Sequence, residues 1–334
     1  MMDKGKLATY EKALRKGLTW ILRHRNRDGS FGDTSERKTT FFKVPIALFD
    51  NGYTVEALAY MRWLQRATFT PEGDFDDPRP GYHAAHWPYR NLWFIRAAHF
   101  LELHDIAYPA MDYVRRFRDP ETGGIRAVAP YAERDADPRQ DLILTAFGGL
   151  DLLTMGYRAE AEAAGEWVCR LVEAQPALEQ RLYLMWRPGS GVVGEVPQGH
   201  DQLWYWLDRR ELNQDYYNLG VALTFLSHLY RLTGNRRFLN GAMAYYRFFA
   251  SCREDRLRSL SSGKVMYGLT LLYLATGDQQ YLDEGEVAAD YIVEIQDEDG
   301  AWAQHGGPYL NITAEYAFEL RWFIQVQELL RMEE

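Results

Sequence analysis

The sequence predicts an all-α fold, a single (α/α)6 toroid in which six helical hairpins form a barrel over residues 1–334. Two observations lead to this prediction. One pattern recurs about six times: an amphipathic helix, a turn with an acidic residue and a glycine, and a helix that is apolar on nearly every side. Recurrence of such a unit is typical of repeat architectures. The short connections between hairpins also repeat, and their Gly and Asn or Asp residues suit a helix end followed by a helix start.

The amphipathic helices are expected on the outside of the barrel. In residues 279–296, Val287, Tyr291 and Ile295 share one face, while acidic side chains lie off that face. This spacing predicts a helix with one buried stripe. The outer helices are predicted at residues 7–26, 54–67, 108–118, 158–174, 236–252 and 279–296.

The apolar helices are expected on the inside, with the last helix paired to the first. Residues 217–232 are apolar on nearly all sides, which is typical of a buried helix. The long loops at 68–87, 119–138 and 175–213 are rich in Trp, Tyr, His and Asp and are expected on one rim, where we place the active face. The inner helices are predicted at residues 39–50, 88–104, 140–155, 214–232, 262–275 and 312–331.

The composition limits the classes of molecule that we expect the protein to bind. A net charge of −9 without a basic run argues against nucleic acid and anionic membranes. No apolar run is long enough for a membrane span, and no signal peptide is visible, so a cytoplasmic protein with a small-molecule substrate is expected. Cys169 and Cys252 lie far apart, form no metal-type pair and are expected to be buried thiols. The sequence does not set the oligomeric state.

Two motifs resemble those of known toroid enzymes. The segment from Gly17 through Trp20 to Phe31 resembles the QW motif of squalene-hopene-type cyclases, with Arg25 in the place of its Gln. A second copy near the end of the chain keeps Gln296 together with a Gly and a Trp. The resemblance implies the α/α toroid of terpene cyclases and protein prenyltransferases, in which these residues staple helices together.

A second resemblance points to another substrate. Residues 274–282 and 232–239 resemble hairpin turns of (α/α)6 sugar-active proteins, which include unsaturated glucuronyl hydrolases and N-acylglucosamine epimerases. Both resemblances imply the same architecture, but they disagree on whether the ligand is a polyene or a sugar.

The candidate catalytic groups are the carboxylates of Asp76, Asp141 and Asp215, whereas capping of a helix is favoured for Asp137. Residues 74–77 spell the DxDD motif of class II terpene cyclases, and the resemblance implies that Asp76 is the acid; the alternative is an acidic surface turn. Asp141 and Asp137 open an inner helix, where Asp is either a general acid or base or a helix cap. Asp215 lies in the densest aromatic and polar cluster of the chain.

Further polar and aromatic residues are predicted to bind the substrate. His83 and His86 have no partner set with zinc spacing, so no metal site is predicted, and His83, His86, His200 and His305 would suit proton transfer. Glu315 lies in an apolar helix and is either functional or paired with Arg90 or Arg321. The predicted substrate-binding residues are His86, Trp87, Arg90, His200, Trp204, Tyr216, Tyr309, Glu315 and Tyr316.

These residues favour a terpene-cyclase-like enzyme that cyclises or isomerises a hydrophobic molecule by acid catalysis. No Gly-rich phosphate loop is present, so no cofactor is predicted. The alternatives are a carbohydrate-active enzyme, either a glycoside hydrolase or a sugar epimerase, and a non-catalytic ligand-binding toroid. Acids with raised pKa values among aromatic side chains would favour the cyclase, whereas a polar open groove would favour a sugar.

Overall fold

The computed structural model describes residues 2–35, 37–79, 82–127, 138–304 and 306–332, apart from the side chains of Tyr82, His83 and Pro308. The all-α prediction is confirmed, and each of the twelve predicted helices is found among these residues. The helices are α1 (Lys4–Arg23), α2 (Val44–Asp50), α3 (Thr54–Thr68), α4 (Tyr82–Ala85), α5 (Tyr89–Phe100), α6 (His104–Arg115), α7 (Leu142–Thr154), α8 (Arg158–Glu173), α9 (Tyr217–Thr233), α10 (Arg236–Ala250), α11 (Ser262–Thr276), α12 (Gln279–Glu294) and α13 (Leu310–Met332).

The first inner helix is shorter than predicted, since α2 begins at Val44 and not at residue 39. Pro45 occupies the first turn, where its missing N–H group costs no helical hydrogen bond. Upstream, the Thr39 N–H donates to the Asp77 carboxylate at 2.7 Å, so this backbone is bound to a neighbouring loop and not to a helix.

Short antiparallel strands, which the sequence did not predict, occur between the helices. In one sheet β1 (Gln140–Asp141) pairs with β3 (Met185–Arg187), which also pairs with β4 (Gly191–Val192). In another, β2 (Arg181–Tyr183) pairs with β5 (Trp206–Asp208). Each strand has only two or three residues, too few for a periodic pattern. The third pair is β6 (Ala303–Gln304) with β7 (Gly307–Pro308).

The contacts divide the chain into two compact units. In unit 1, α13 packs against α1 and α2; in unit 2, α9 packs against α7, α10 and α11. The single domain over residues 1–334 stays a prediction. Unit 1 comprises Met1–Pro80, Tyr89–Val114 and Ala289–Glu334, and unit 2 comprises Gly81–Pro88 and Arg115–Ala288.

The repeated glycine of the acidic turns has one structural role. At Gly29, Gly73, Gly123 and Gly300 the backbone φ lies between +84° and +99°, a region that side chains disfavour. A Cβ atom at these positions would lie 2.1–3.3 Å from a carbonyl or backbone atom of an amphipathic helix. Each turn therefore docks its backbone against a helix, which explains why the glycine recurs. The facing helix residues are Ala59, Pro109, Ala163 and Lys16, in that order.

The QW-like residues near the end of the chain hold unit 1 together. The Gln296 amide donates to the carbonyl oxygens of Ala13 at 2.8 Å and Gly300 at 2.9 Å. The Trp302 ring lies against α1 so closely that a Cβ at Gly17 would stand 2.5 Å from it. These contacts match the stapling role that the resemblance implies.

We expect Gly220→Ala to destabilise unit 2, because α9 and α11 touch there through their backbones. A Cβ at Gly220 would lie 2.5 Å from the carbonyl group of Lys264. Alanine gains about 1 kcal/mol of helix propensity, but overpacking against rigid backbone costs about 3 kcal/mol, the upper end of the usual range, so a net loss of about 2 kcal/mol is expected.

Urea denaturation would measure this loss. Gly194→Ala is the control, since the nearest atom to its new Cβ would be 3.7 Å away on Tyr183, and its effect should stay within about 0.5 kcal/mol. Equal stabilities for the two variants would contradict the close approach of α9 and α11.

No helix in the described ranges is both long and apolar enough to cross a bilayer.

Candidate active site

A histidine and a carboxylate meet in the interior of unit 2. His86 follows α4, and Asp141 ends β1 and caps α7; each is only 1% exposed. The His86 Nδ1 lies 3.3 Å from the Asp141 Oδ2. The other Asp141 oxygen, Oδ1, accepts the Leu144 N–H at 2.8 Å. Asp141 therefore caps its helix and faces the imidazole at the same time, so both roles that its sequence position suggested are compatible.

A tryptophan lies between this histidine and a second one. The Trp204 indole and the His86 ring form a T-shaped contact, with centroids 5.8 Å apart. The His200 ring contacts the same indole at 5.6 Å. Trp204 ends a short 3-10 turn whose first N–H groups are capped by Asp201, which accepts from the Leu203 N–H at 3.0 Å. Two imidazoles therefore lie against one half-buried aromatic ring.

Tyr205 and Arg139 support the second histidine. The Tyr205 hydroxyl lies 2.7 Å from the His200 Nδ1, and the Arg139 guanidinium donates to the same hydroxyl. The Tyr205 ring is fully buried against Met185 and Val193, so its hydroxyl has a fixed position.

Asp215 and Lys264 add a pair of opposite charges to this region. The Tyr217 hydroxyl donates to the Asp215 carboxylate at 3.0 Å, and the Lys264 ammonium lies 5.6 Å from the centre of the Tyr217 ring. Burial raises the pKa of Asp215 to about 6, and the negative charge of Asp201 adds to this shift. The Tyr217 hydroxyl, Lys264 and His86 act in the opposite direction. Asp215 is therefore a carboxyl group that changes its protonation state near neutral pH.

Together these side chains form the candidate site of unit 2. Sequence reasoning identified His86, Asp141, His200, Trp204 and Asp215, and the structure brings them into one region. It missed Lys264, which at 8% exposure is buried at the start of an apolar helix, where a lysine is a notable polar exception. Arg139, Tyr205 and Tyr217 were missed because only tertiary contacts reveal their role. The candidate site comprises His86, Arg139, Asp141, His200, Trp204, Tyr205, Asp215, Tyr217 and Lys264.

The DxDD motif lies in unit 1, where the structure gives it structural partners. Asp74 and Asp77 are buried, and Asp74 accepts from the Arg79 guanidinium at 2.6 Å. Asp76 is exposed, and its backbone N–H donates to the Thr68 oxygen at 2.9 Å. An exposed Asp76 beside two buried aspartates is the geometry that the acidic surface turn predicts.

The partner of Glu315 differs from the one predicted. Glu315 forms a buried ion pair with Lys43, and the expected pairing with Arg90 or Arg321 is wrong. Arg90 instead donates to the backbone oxygen of Asp77 at 2.9 Å. Lys43 lies 272 positions from Glu315, just before α2, and nothing local to either residue indicates this pairing.

Most of the other aromatic residues predicted to bind the substrate pack against neighbouring side chains. The Tyr216 hydroxyl donates to Asp255 at 3.1 Å, and Tyr316 packs edge-on against Trp302 at 5.7 Å. Tyr309 contacts Phe41 at 6.4 Å in unit 1. Trp87 is half-buried beside His86 in the chain. Asp137, His305 and the side chain of His83 lie outside the described residues.

No group of three or more His, Cys, Asp or Glu side chains with metal-binding geometry occurs in the part of the chain that the structure describes. Cys169 and Cys252 are buried, and burial raises the pKa of each thiol to about 12.

Comparison with known proteins identifies the fold. No protein-family model and no curated protein matches the chain. Solved structures do match over nearly the whole chain. A D-mannose isomerase has a TM-score of 0.70 at 12% identity, covering 97% of this chain and all of its own. An alpha-mannanase of glycoside hydrolase family 76 from Bacteroides thetaiotaomicron has a TM-score of 0.64 at 13% identity, covering 96% and 97%.

A third match is the type II terpene cyclase MstE from Scytonema, with a TM-score of 0.64 at 12% identity, covering 96% of this chain and 99% of that one. The chain has the (α/α)6 toroid fold. The fold prediction is thereby confirmed. These matches are all enzymes, but they act on both sugars and terpenoids, and they do not favour the cyclase over the carbohydrate alternative.

Proposed function

We propose that the protein is a carbohydrate-active enzyme that moves a proton on a sugar, as an isomerase or epimerase does. The observation that carries this proposal is the arrangement of His86 and His200 on one indole ring, each with a polar side chain at its Nδ1. Imidazoles exchange protons near neutral pH, and indole faces pack well against the C–H groups of sugar rings. One solved structure of similar fold is named a D-mannose isomerase, which agrees with this chemistry.

The proposed reaction needs only proton transfer. A base removes the proton from the carbon beside the sugar carbonyl, the bonding electrons form a carbon–carbon double bond, and an acid protonates the carbonyl oxygen. The resulting enediol becomes the isomeric sugar when the former carbonyl carbon takes up a proton and the hydroxyl on the neighbouring carbon gives up its proton to form the new carbonyl group. In this proposal Asp215, whose pKa burial raises to about 6, exchanges a proton with a substrate hydroxyl.

The charge of the candidate site supports a sugar over a polyene. A cyclase must stabilise a carbocation with aromatic faces and must exclude water from its pocket. Here the aromatic rings alternate with Lys264, Arg139, two imidazoles and two carboxylates. A buried ammonium would repel a carbocation, and an imidazole would remove its proton. Within the described residues, the observations that favour a cyclase are the QW-like contacts of Gln296 and Trp302 and the raised pKa of Asp215.

The test is a substrate screen in D2O with the whole chain. Aldohexoses and ketohexoses are followed by proton NMR for loss of the signal at the carbon beside the carbonyl, and oligosaccharides and linear polyenes are assayed in parallel. We expect deuterium incorporation with a sugar, and His86→Gln should lower its rate by about 100-fold or more.

Two further variants separate the alternatives. Asp278→Asn replaces an exposed carboxylate that bonds the Gln280 N–H at 3.1 Å, and it should leave the rate unchanged. Asp76→Asn should also retain the sugar activity. Cyclisation of a polyene that disappears in Asp76→Asn would overturn the proposal in favour of the cyclase, and release of a monosaccharide from an oligosaccharide would favour the hydrolase.

A further inference from the structure

We infer that unit 1 has a second ligand site, which binds a small sugar bearing one anionic group, either a phosphate or a carboxylate. The site is a surface groove between α1 and the turn at residues 297–300, here called the α1 groove. Its volume of about 330 Å³ suits a ligand of the size of a hexose phosphate. The α1 groove shares no residue with the candidate site of unit 2, so this inference does not depend on the proposed reaction.

Four cations on one side of α1 form the first wall of the α1 groove. Lys12, Lys16 and Arg23 recur at helical spacing, with Arg15 beside them, and all four side chains are exposed. In the part of the chain that the structure describes, Lys12, Lys16 and Arg23 have no carboxylate within ion-pair distance. Arg15 has one such neighbour, Glu11 at 3.3 Å. This face therefore keeps most of its positive charge, although the whole chain has a net charge of −9.

The turn at residues 297–300 forms the opposite wall. The exposed side chains of Glu298 and Asp299 line the α1 groove. The Lys16 ammonium donates to the backbone oxygen of Glu298 at 3.5 Å. A Cβ at Gly300 would lie 2.6 Å from the carbonyl oxygen of Lys16, and the QW-like contacts of unit 1 hold the same turn. Both walls are therefore fixed to each other, and the α1 groove exists before a ligand arrives.

The two walls favour a ligand that has both an anionic group and hydroxyl groups. Ammonium and guanidinium groups only donate hydrogen bonds, and they bind phosphate or carboxylate oxygens strongly. The carboxylates of Glu298 and Asp299 only accept, so they can bind sugar hydroxyls. The Thr19 hydroxyl donates to the Arg15 carbonyl oxygen at 2.8 Å, and its own oxygen can still accept from a ligand.

The same carboxylates argue against a longer polyanion. A nucleic acid or an acidic peptide would place several negative charges along the α1 groove, and some of them would face Glu298 and Asp299. Like charges at this distance repel each other. A sugar with a single anionic group can place that group at the cations and its hydroxyls at the acidic turn.

Isothermal titration calorimetry with the whole chain measures the binding. The probes are glucose-6-phosphate, glucuronate, inorganic phosphate and glucose. We expect at least one of the two anionic sugars to bind about 10-fold or more tightly than either inorganic phosphate or glucose, and their order identifies the preferred anion. The affinity should fall as NaCl is added, because exposed charges are screened by salt.

Variants on α1 assign the site. Lys12→Ala together with Lys16→Ala should weaken binding of the anionic sugar by about 10-fold or more, because two charge-assisted hydrogen bonds are lost. Lys4→Ala is the matched control, since it removes an exposed lysine of the same helix outside the α1 groove, and the affinity should change by less than about 2-fold. His86→Gln should leave the affinity unchanged.

Asp299→Asn tests the acidic wall. The amide removes a repulsive charge but accepts a hydroxyl less strongly than the carboxylate does. Inorganic phosphate should therefore bind this variant more tightly than the parent protein, and the preference for the anionic sugar should narrow.

Three results would overturn the inference. The first is equal binding of inorganic phosphate and both anionic sugars, which would indicate attraction by charge alone. The second is the absence of binding, or an equal loss of affinity in Lys4→Ala and in the double variant. The third is binding that His86→Gln abolishes and the double variant retains, which would place the ligand in unit 2. None of these measurements needs sugar turnover, so failure of the proposed function would leave the α1 groove standing.

Discussion

Replacing Asp215 by asparagine should lower turnover by about 100-fold or more and, at neutral pH, make the folded protein more stable. Burial raises the pKa of this carboxyl from 3.8 to about 6, so the folded state binds its proton more tightly than the unfolded chain does. The free energy of unfolding therefore falls as the pH rises from about 4 to about 6, and it stays lowered above that. Asparagine has no such charge and avoids this loss.

The size of the gain follows from the shift. A difference of about two pKa units corresponds to at most about 3 kcal/mol, and the amide still accepts a hydrogen bond from Tyr217, so we expect about 1–3 kcal/mol at pH 7.5. At pH 4 the gain should vanish, since Asp215 is then protonated in the folded state as well. Urea denaturation at the two pH values would measure the difference.

The turnover rate of Asp215→Asn should fall, although its stability at pH 7.5 should rise. Loss of a group that exchanges a proton in the reaction costs about 100-fold or more in kcat. The exposed Asp278→Asn variant is the matched control and should change neither stability nor rate. A fall in stability at pH 7.5 would contradict the prediction, because it would mean that Lys264 and His86 stabilise the charged carboxylate by more than its burial costs.

The helices could be predicted from the sequence because the spacing of apolar residues along a helix is a local property. Recurrent glycine turns could also be predicted, since a positive φ beside a helix backbone excludes other residues. Asp141 and Asp215 were identified because both precede a buried helix. These features need only a few neighbouring residues to be recognised.

Other parts of the site depend on contacts between distant segments. The pair His86 and Asp141 forms between residues 55 positions apart, and nothing local to either indicates the other. The DxDD spacing fits a cyclase motif, but whether Asp76 faces the interior is decided by how its turn packs. The structure turns Asp74 and Asp77 inward and Asp76 outward.

We expect Glu315→Gln to destabilise unit 1 by about 3–5 kcal/mol, the usual cost of removing one partner of a buried ion pair. The Lys43 ammonium would keep its charge and its buried position but lose the carboxylate that faces it. The rings of Phe42 and Trp93, whose centres lie 5.6 and 5.5 Å from the ammonium, would recover about 1–2 kcal/mol at most.

A double-mutant cycle would separate the interaction from the cost of an unpaired charge. Lys43→Met together with Glu315→Gln should recover most of the stability that Glu315→Gln loses, because the second change removes the buried charge. The exposed pair Arg158 and Glu162 is the control, and Glu162→Gln should cost less than about 0.5 kcal/mol. If Glu315→Gln left stability intact but lowered sugar turnover, the pair would be a substrate contact, as the sequence first suggested for Glu315, and its carboxylate would be reaching a ligand rather than only holding Lys43.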